Sequence, residues 1–161
     1  MIKFVKNIEN FWKEDLANHK FARQVEFVAE NFNHLDRTYY NSGFLLQSFN
    51  KEIPNIQDFQ RALDVKNTSI SWLCILPNVI LPSHRDTFYT LRQEHAVGIE
   101  QCFRYLIFLE DWVFGHYVGF ENLNITNWKA GDVWMFDCEE NHYGVNASNV
   151  PFVTCQVSSY V

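Results

Sequence analysis

Apolar and polar positions along this chain follow two different periods. In the first third, Ile8, Phe11, Trp12 and Leu16 recur at helical spacing. Phe21, Val25, Val28 and Phe32 do the same, with Glu26 and Glu30 between them. Pro54 opens a further short helix that carries Ile56, Phe59 and Leu63 on one side. These stripes predict helices packed on the outside of a sheet. From about Thr68 the pattern becomes short apolar runs broken by turn residues, at 69–76, 79–81, 102–109, 117–120, 125–128, 133–136 and 152–157. Pro77-Asn78, Gly115, Asn122, Ala130-Gly131 and residues 149–151 punctuate them. Many short strands with close turns predict an all-β barrel or sandwich such as a jelly roll. No linker, repeat or low-complexity tract divides the chain. Residues 1–161 therefore read as one domain, with 1–67 as helical support and 68–161 as the β unit.

A length of 161 residues suffices for a real core, and 47% hydrophobic with 17% aromatic residues argues against disorder. Fifteen Phe and five Trp suit a chain of many strands. The net charge of -6 and the absence of a basic run argue against nucleic acid or an anionic membrane as the partner. No signal peptide and no long apolar run is evident, so a cytoplasmic protein is expected. Cys74, Cys102, Cys138 and Cys155 are widely spaced and predict buried thiols rather than disulfides or zinc ligands.

The chemistry concentrates in His84, Asp86 and His142. In an extended segment residues i and i+2 face the same way, so His84 and Asp86 share a side while Arg85 turns away. A third ligand must then come from a distant strand. Of the six histidines, His19 and His34 fall in the helical part, His95 in a loop and His116 in a turn. His142, after a strand and within a polar loop, is the best candidate. Two imidazoles and one carboxylate cap one face of an octahedral metal and leave the other open. This is the facial triad of non-haem Fe(II) oxygenases.

The pieces His84-Arg85-Asp86, 103–112, Trp128 to Asp132, and Phe136-Asp137 through His142 to Asn146 resemble the 2-oxoglutarate- and Fe(II)-dependent oxygenases. The aspartyl/asparaginyl hydroxylase and prolyl 4-hydroxylase-like branches are nearest. The resemblance covers residues 84–161. It implies a double-stranded β-helix, cupin-like and supported by the N-terminal helices. It implies Fe(II) held by His84, Asp86 and His142, 2-oxoglutarate as co-substrate and O2 as oxidant. The implied reaction is hydroxylation of an unactivated C–H bond of an amino-acid side chain or small metabolite.

The family pattern also implies a cation about ten positions after the last His, for the outer carboxylate of 2-oxoglutarate. That position is Phe152, and residues 130–161 contain no Lys or Arg. Arg104, inside an apolar strand, is the substitute candidate, since a buried carboxylate needs a partner. Its plainer explanation is pairing with Glu100 or reaching for water. Asn146 and Gln156, with Tyr89 and Thr154, offer hydrogen bonds to a bound carboxylate or serve as satisfied polar groups of a barrel. Two alternatives stay open: a cupin-type metalloprotein without 2-oxoglutarate, and a non-catalytic relative. Gly131, His142 and Asn146 match the spacing of the second cupin motif. Asp86, where the first cupin motif has a His, counts against it. The substrate is a small molecule or peptide, and oligomeric state is open.

Overall fold

The computed structural model describes residues 1–26 and 44–161. Among these, the elements run β1 (Ile2–Asn7), α1 (Lys13–Asn18), β2 (Arg23–Glu26), β3 (Phe44–Phe49), α2 (Ile56–Leu63), β4 (Ser69–Ile75), β5 (Val79–His84) and α3 (Tyr89–His95). They continue with β6 (Cys102–Phe108), β7 (His116–Phe120), β8 (Leu123–Ile125), β9 (Asp132–Asp137), β10 (His142–Asn146) and β11 (Phe152–Tyr160).

Two antiparallel sheets face each other, one ordered β1-β9-β6-β11-β4-β3-β2 and the other β5-β10-β7-β8. From β4 onward the chain passes back and forth between the sheets, as the interlocked strands of a jelly roll require. The fold is thus mainly β, a double-stranded β-helix with a few short helices.

The alternation of side chains along each strand sets two cores. Leu73, Ile75, Leu106, Phe108, Phe136 and Phe152 point from the larger sheet toward Leu81, Val118 and Phe120 of the smaller one. Their strand neighbours Trp72, Cys74, Ile107, Val133, Cys155 and Val157 point to the opposite face. There Trp12, Phe59 and Leu63 close over them. All seven residues of β4 are buried, because this strand has a core on both faces. Gly131 stands at φ +92° in the turn before β9, where a Cβ would lie 2.1 Å from the Ile8 carbonyl oxygen, so only glycine fits.

The N-terminal third departs from its helical reading. α2 forms over Ile56–Leu63 as expected, but the first stripe gives helix only from Lys13. The residues before it pair with β9 as strand β1. Arg23–Glu26 is strand β2, not helix; Val28, Glu30, Phe32 and His34 lie outside the described residues. β1, β3 and β2 lengthen the larger sheet at both ends, so this part is sheet extension as well as helical cover. Pairing with a neighbouring strand overrides a weak local helical period. No helix among the described residues is long and apolar enough to cross a membrane. The four cysteines are free thiols, three of them buried.

Candidate metal centre

His84 ends β5 and His142 begins β10, and these antiparallel strands pair so that the two residues are Cα partners. A register shift between His142 and Gly144 follows at once, a local irregularity of the kind that re-aims side chains beside functional sites. Burial alternates along the segment: His84 and Asp86 are buried and Arg85 is exposed. The period-2 argument from the sequence is therefore met. His142 sits on a strand rather than in a polar loop, and it packs against the rings of Phe136 at 4.7 Å and Phe120 at 5.6 Å.

His84, Asp86 and His142 offer one donor atom each, all within 4.8 Å of one another. Nε2 of His84 lies 3.8 Å from Oδ1 of Asp86, and Nε2 of His142 lies 3.8 Å from Oδ2. Behind the rings, Nδ1 of His84 is 2.8 Å from the Pro82 carbonyl oxygen and Nδ1 of His142 is 3.1 Å from that of Glu140. A carbonyl only accepts, so each Nδ1 carries a proton and each Nε2 faces inward. Burial, helped by the neighbouring His142, pulls His84 down to about 4, so the ring is neutral at physiological pH. Burial pushes the Asp86 carboxyl upward, but Arg104 and then the two imidazoles outweigh it and hold the carboxyl below its ordinary value. The donor set is thus two imidazole nitrogens and one carboxylate oxygen. It fits a divalent ion, and Oδ2 of Asp86, buried without a well-aligned hydrogen bond, is an atom such an ion would satisfy.

Arg104 reaches this cluster from β6. Its Nη1 lies 2.9 Å from Oδ2 of Asp86 and donates to Oε1 of Gln156 at 2.8 Å, and its Nε donates to Oγ of Ser158 at 3.2 Å. Its sequence neighbour Glu100 is not its partner. The Phe88 ring sits 5.2 Å below the guanidinium. Phe88 holds φ 50°, a left-handed conformation costly for a bulky residue, on the order of 1–3 kcal/mol. Burial of its ring beside Leu91 and Cys102 keeps it there.

Asp86, Arg104 and Gln156 share a chamber of about 200 Å³ whose far wall is Gln47, Ser69 and Ser71. Tyr89 lies on its exposed rim. Ser158 and the Gln47–Ser71 wall escaped the sequence reading. Ser158 is two residues from Gln156 and directly across from Arg104, so strand alternation could have found it. Gln47 could not have been found, since β3 carries no clear signal. On the other side of His142, between the sheets, only about 30 Å³ is open, roughly one water, and Thr154 lines it. The interior is filled by a stack of Phe108, Trp128, Phe152 and His116, with Trp128 3.9 Å from Phe108 and His116 4.6 Å from Phe152. Phe152, where the resemblance led to the expectation of a cation, is a packing residue of this stack.

Asn146 does not belong to the chamber. Its Nδ2 donates to the carbonyls of Ile75 at 2.8 Å and Val150 at 2.7 Å, and its Oδ1 accepts from the Ser148 amide and hydroxyl. Its side chain is spent on the end of β4 and on the β10–β11 turn, where a cofactor contact was expected of it. His116 serves the same turn through Ser148. His19 bonds Ser48, and His95 packs on Tyr160.

No protein-family model matches the sequence, and no curated protein matches it. Solved structures do. The chain is similar to SnoK, a non-heme alpha-ketoglutarate-dependent carbocyclase from nogalamycin biosynthesis, with a TM-score of 0.51 at 12% identity. The match covers 71% of this chain and 62% of that one, so this chain spans less than two thirds of the carbocyclase. It is also similar to a sugar phosphate isomerase from a cupin superfamily of Silicibacter pomeroyi (TM-score 0.48, 10% identity, 91% of this chain and 74% of that one). A predicted oxalate decarboxylase from Thermotoga maritima gives a TM-score of 0.47 at 14% identity, over 74% of this chain and 83% of that one. What these likenesses share is the fold.

Proposed function

We propose that this protein is a non-haem Fe(II)- and 2-oxoglutarate-dependent dioxygenase that hydroxylates a small metabolite or an amino-acid side chain. The observation that carries the reading is the convergence of His84, Asp86 and His142, with both Nδ1 atoms tied to backbone carbonyls and both Nε2 atoms facing inward. In this reading, Fe(II) with 2-oxoglutarate and O2 supplies oxidation of an unactivated C–H bond, coupled to conversion of 2-oxoglutarate to succinate and CO2.

The chain's own part is binding, orientation and exclusion. His84, Asp86 and His142 hold one face of the ion and leave the other for ligands. The backbone acceptors behind both imidazoles fix their tautomer and aim. Arg104, steadied by Gln156, Ser158 and the Phe88 ring, receives an organic carboxylate from the chamber side. The aromatic stack behind His142 keeps water and ligands out of the barrel interior. Charge also balances. Asp86 and Arg104 cancel, and a divalent cation with a doubly charged acid adds nothing net.

A second reading is supported by the chamber's size. About 200 Å³ is below the ~300–1,000 Å³ usual for ligand pockets, tight for a co-substrate and a substrate together. In that reading the protein is a cupin-type metalloenzyme whose acid substrate itself occupies the Arg104 side. The two separate on one assay. The protein is loaded anaerobically with Fe(II) and exposed to O2 with 2-oxoglutarate, and succinate is measured. Fe(II)-dependent succinate, absent in Asp86→Ala, supports the dioxygenase. Metal loading with no 2-oxoglutarate binding and no succinate contradicts it.

A further inference from the structure

We infer that Asp86 masks Arg104 in the metal-free protein, so that a divalent metal must load before the chamber accepts an organic dicarboxylate. The inference rests on the metal reading above and adds the coupling between the two ligands.

Among the described residues that line the chamber, Arg104 is the one cation and Asp86 the one anion, and Nη1 stands 2.9 Å from Oδ2. A free carboxylate competing for that guanidinium meets a rival that is part of the wall. The rival has already lost its freedom of movement, which is worth a high effective concentration. The other partners of Arg104 differ in kind. Gln156, Ser158 and the Phe88 ring hold the guanidinium in place, but none cancels its charge.

A divalent ion on His84, Asp86 and His142 takes up the Asp86 charge. The guanidinium, mostly buried at 16% exposure, keeps its position and loses its counter-charge. An unpaired buried cation is costly, so an incoming carboxylate gains what Asp86 gave up. Linkage is reciprocal, and the acid must tighten the metal by the same factor. A neutral substrate would show no such coupling, so the geometry selects a carboxylate-bearing anion, and with a divalent ion in place a dicarboxylate leaves the site without net charge.

The test uses Zn(II), which is redox-silent, and glutarate, a dicarboxylate without the keto group that chelates a metal. Calorimetric titration should show glutarate binding at least about tenfold tighter to the Zn(II)-loaded protein than to the metal-free protein. Metal-free Asp86→Asn should bind glutarate comparably to the loaded protein, because the mask is gone without any metal. Arg104→Gln should bind weakly in both states. If metal-free Asp86→Asn binds no better than the metal-free parent, the mask does not exist. Should that variant not fold, equal glutarate affinity of the parent with and without Zn(II) overturns the inference by itself. A protein that binds no Zn(II) loses both this inference and the dioxygenase reading. One that binds Zn(II) with indifferent glutarate loses this inference alone.

Discussion

His142 lies directly across the β5–β10 ladder from His84, and their imidazole centroids are 4.4 Å apart. The pairing of two strands therefore builds two thirds of the site, and the two residues that carry the chain on to Asp86 complete it. A ligand that binds the folded form stabilises it by mass action. Zn(II) at about a thousand times its Kd should add about 4 kcal/mol to unfolding, reversed by a chelator. His84→Ala and His142→Ala should each abolish this gain. A thermal melt with and without Zn(II) measures it, and an unchanged gain in either variant would remove that residue from the site.

Acid should destabilise the metal-free protein in two steps. His84 is held at about 4 by burial, against 6.5 in its ordinary state. Between those values the unfolded chain binds a proton that the folded chain refuses, so stability falls as pH drops from about 6.5 toward 4. The loss is on the order of 3 kcal/mol. Asp86, held low chiefly by Arg104 against its burial, adds a loss of the same sign below its ordinary 3.8. Burial also lowers His116 and His19, with the same sign. The informative quantity is the difference between the parent and His84→Gln in denaturant midpoints at pH 7 and pH 5. The parent should lose more; equal losses would contradict a buried neutral His84.

Phe152 should matter to stability and not to metal. It is 3% exposed within the Phe108–Trp128–His116 stack. Phe152→Ala should cost about 3–5 kcal/mol by leaving a cavity, read as a shift in urea midpoint. Its Zn(II) affinity should stay near that of the parent. A large drop in metal affinity with little loss of stability would mean that the stack positions His142 directly.

Asn146 makes the matching case on a turn. Asn146→Ala strands two carbonyls and the Ser148 groups at a fully buried position. A loss on the order of 2–4 kcal/mol is expected. Glutarate binding by the Zn(II)-loaded variant should not change, and weakened binding would return Asn146 to the ligand site.

The β unit was legible because its strands carry runs that nothing else explains. β4, β6, β9 and β11 lie within three residues of their expected bounds. The pair His84 and Asp86 was legible for the same reason, since a two-residue period forces them to one face. β1 and β3 were not, because edge and extension strands draw their order from the strand beside them. β1 is largely exposed and offers Phe4 and Val5 to solvent, so it lacks the alternation that marks a half-buried strand. α3 was hidden in Tyr89–His95, where Leu91 alone is buried. The partner of Arg104 was beyond sequence reasoning too. Asp86 follows β5 and Arg104 lies on β6, strands of different sheets, so only the packing of one sheet on the other brings them together.

The central claim is one ion on three side chains, and anomalous scattering from a crystal soaked in Zn(II) tests it most directly. The account predicts a single strong peak about 2.0–2.2 Å from Nε2 of His84, Nε2 of His142 and a carboxylate oxygen of Asp86. A fully loaded crystal whose peak lies elsewhere, or which shows none between β5 and β10, would contradict it.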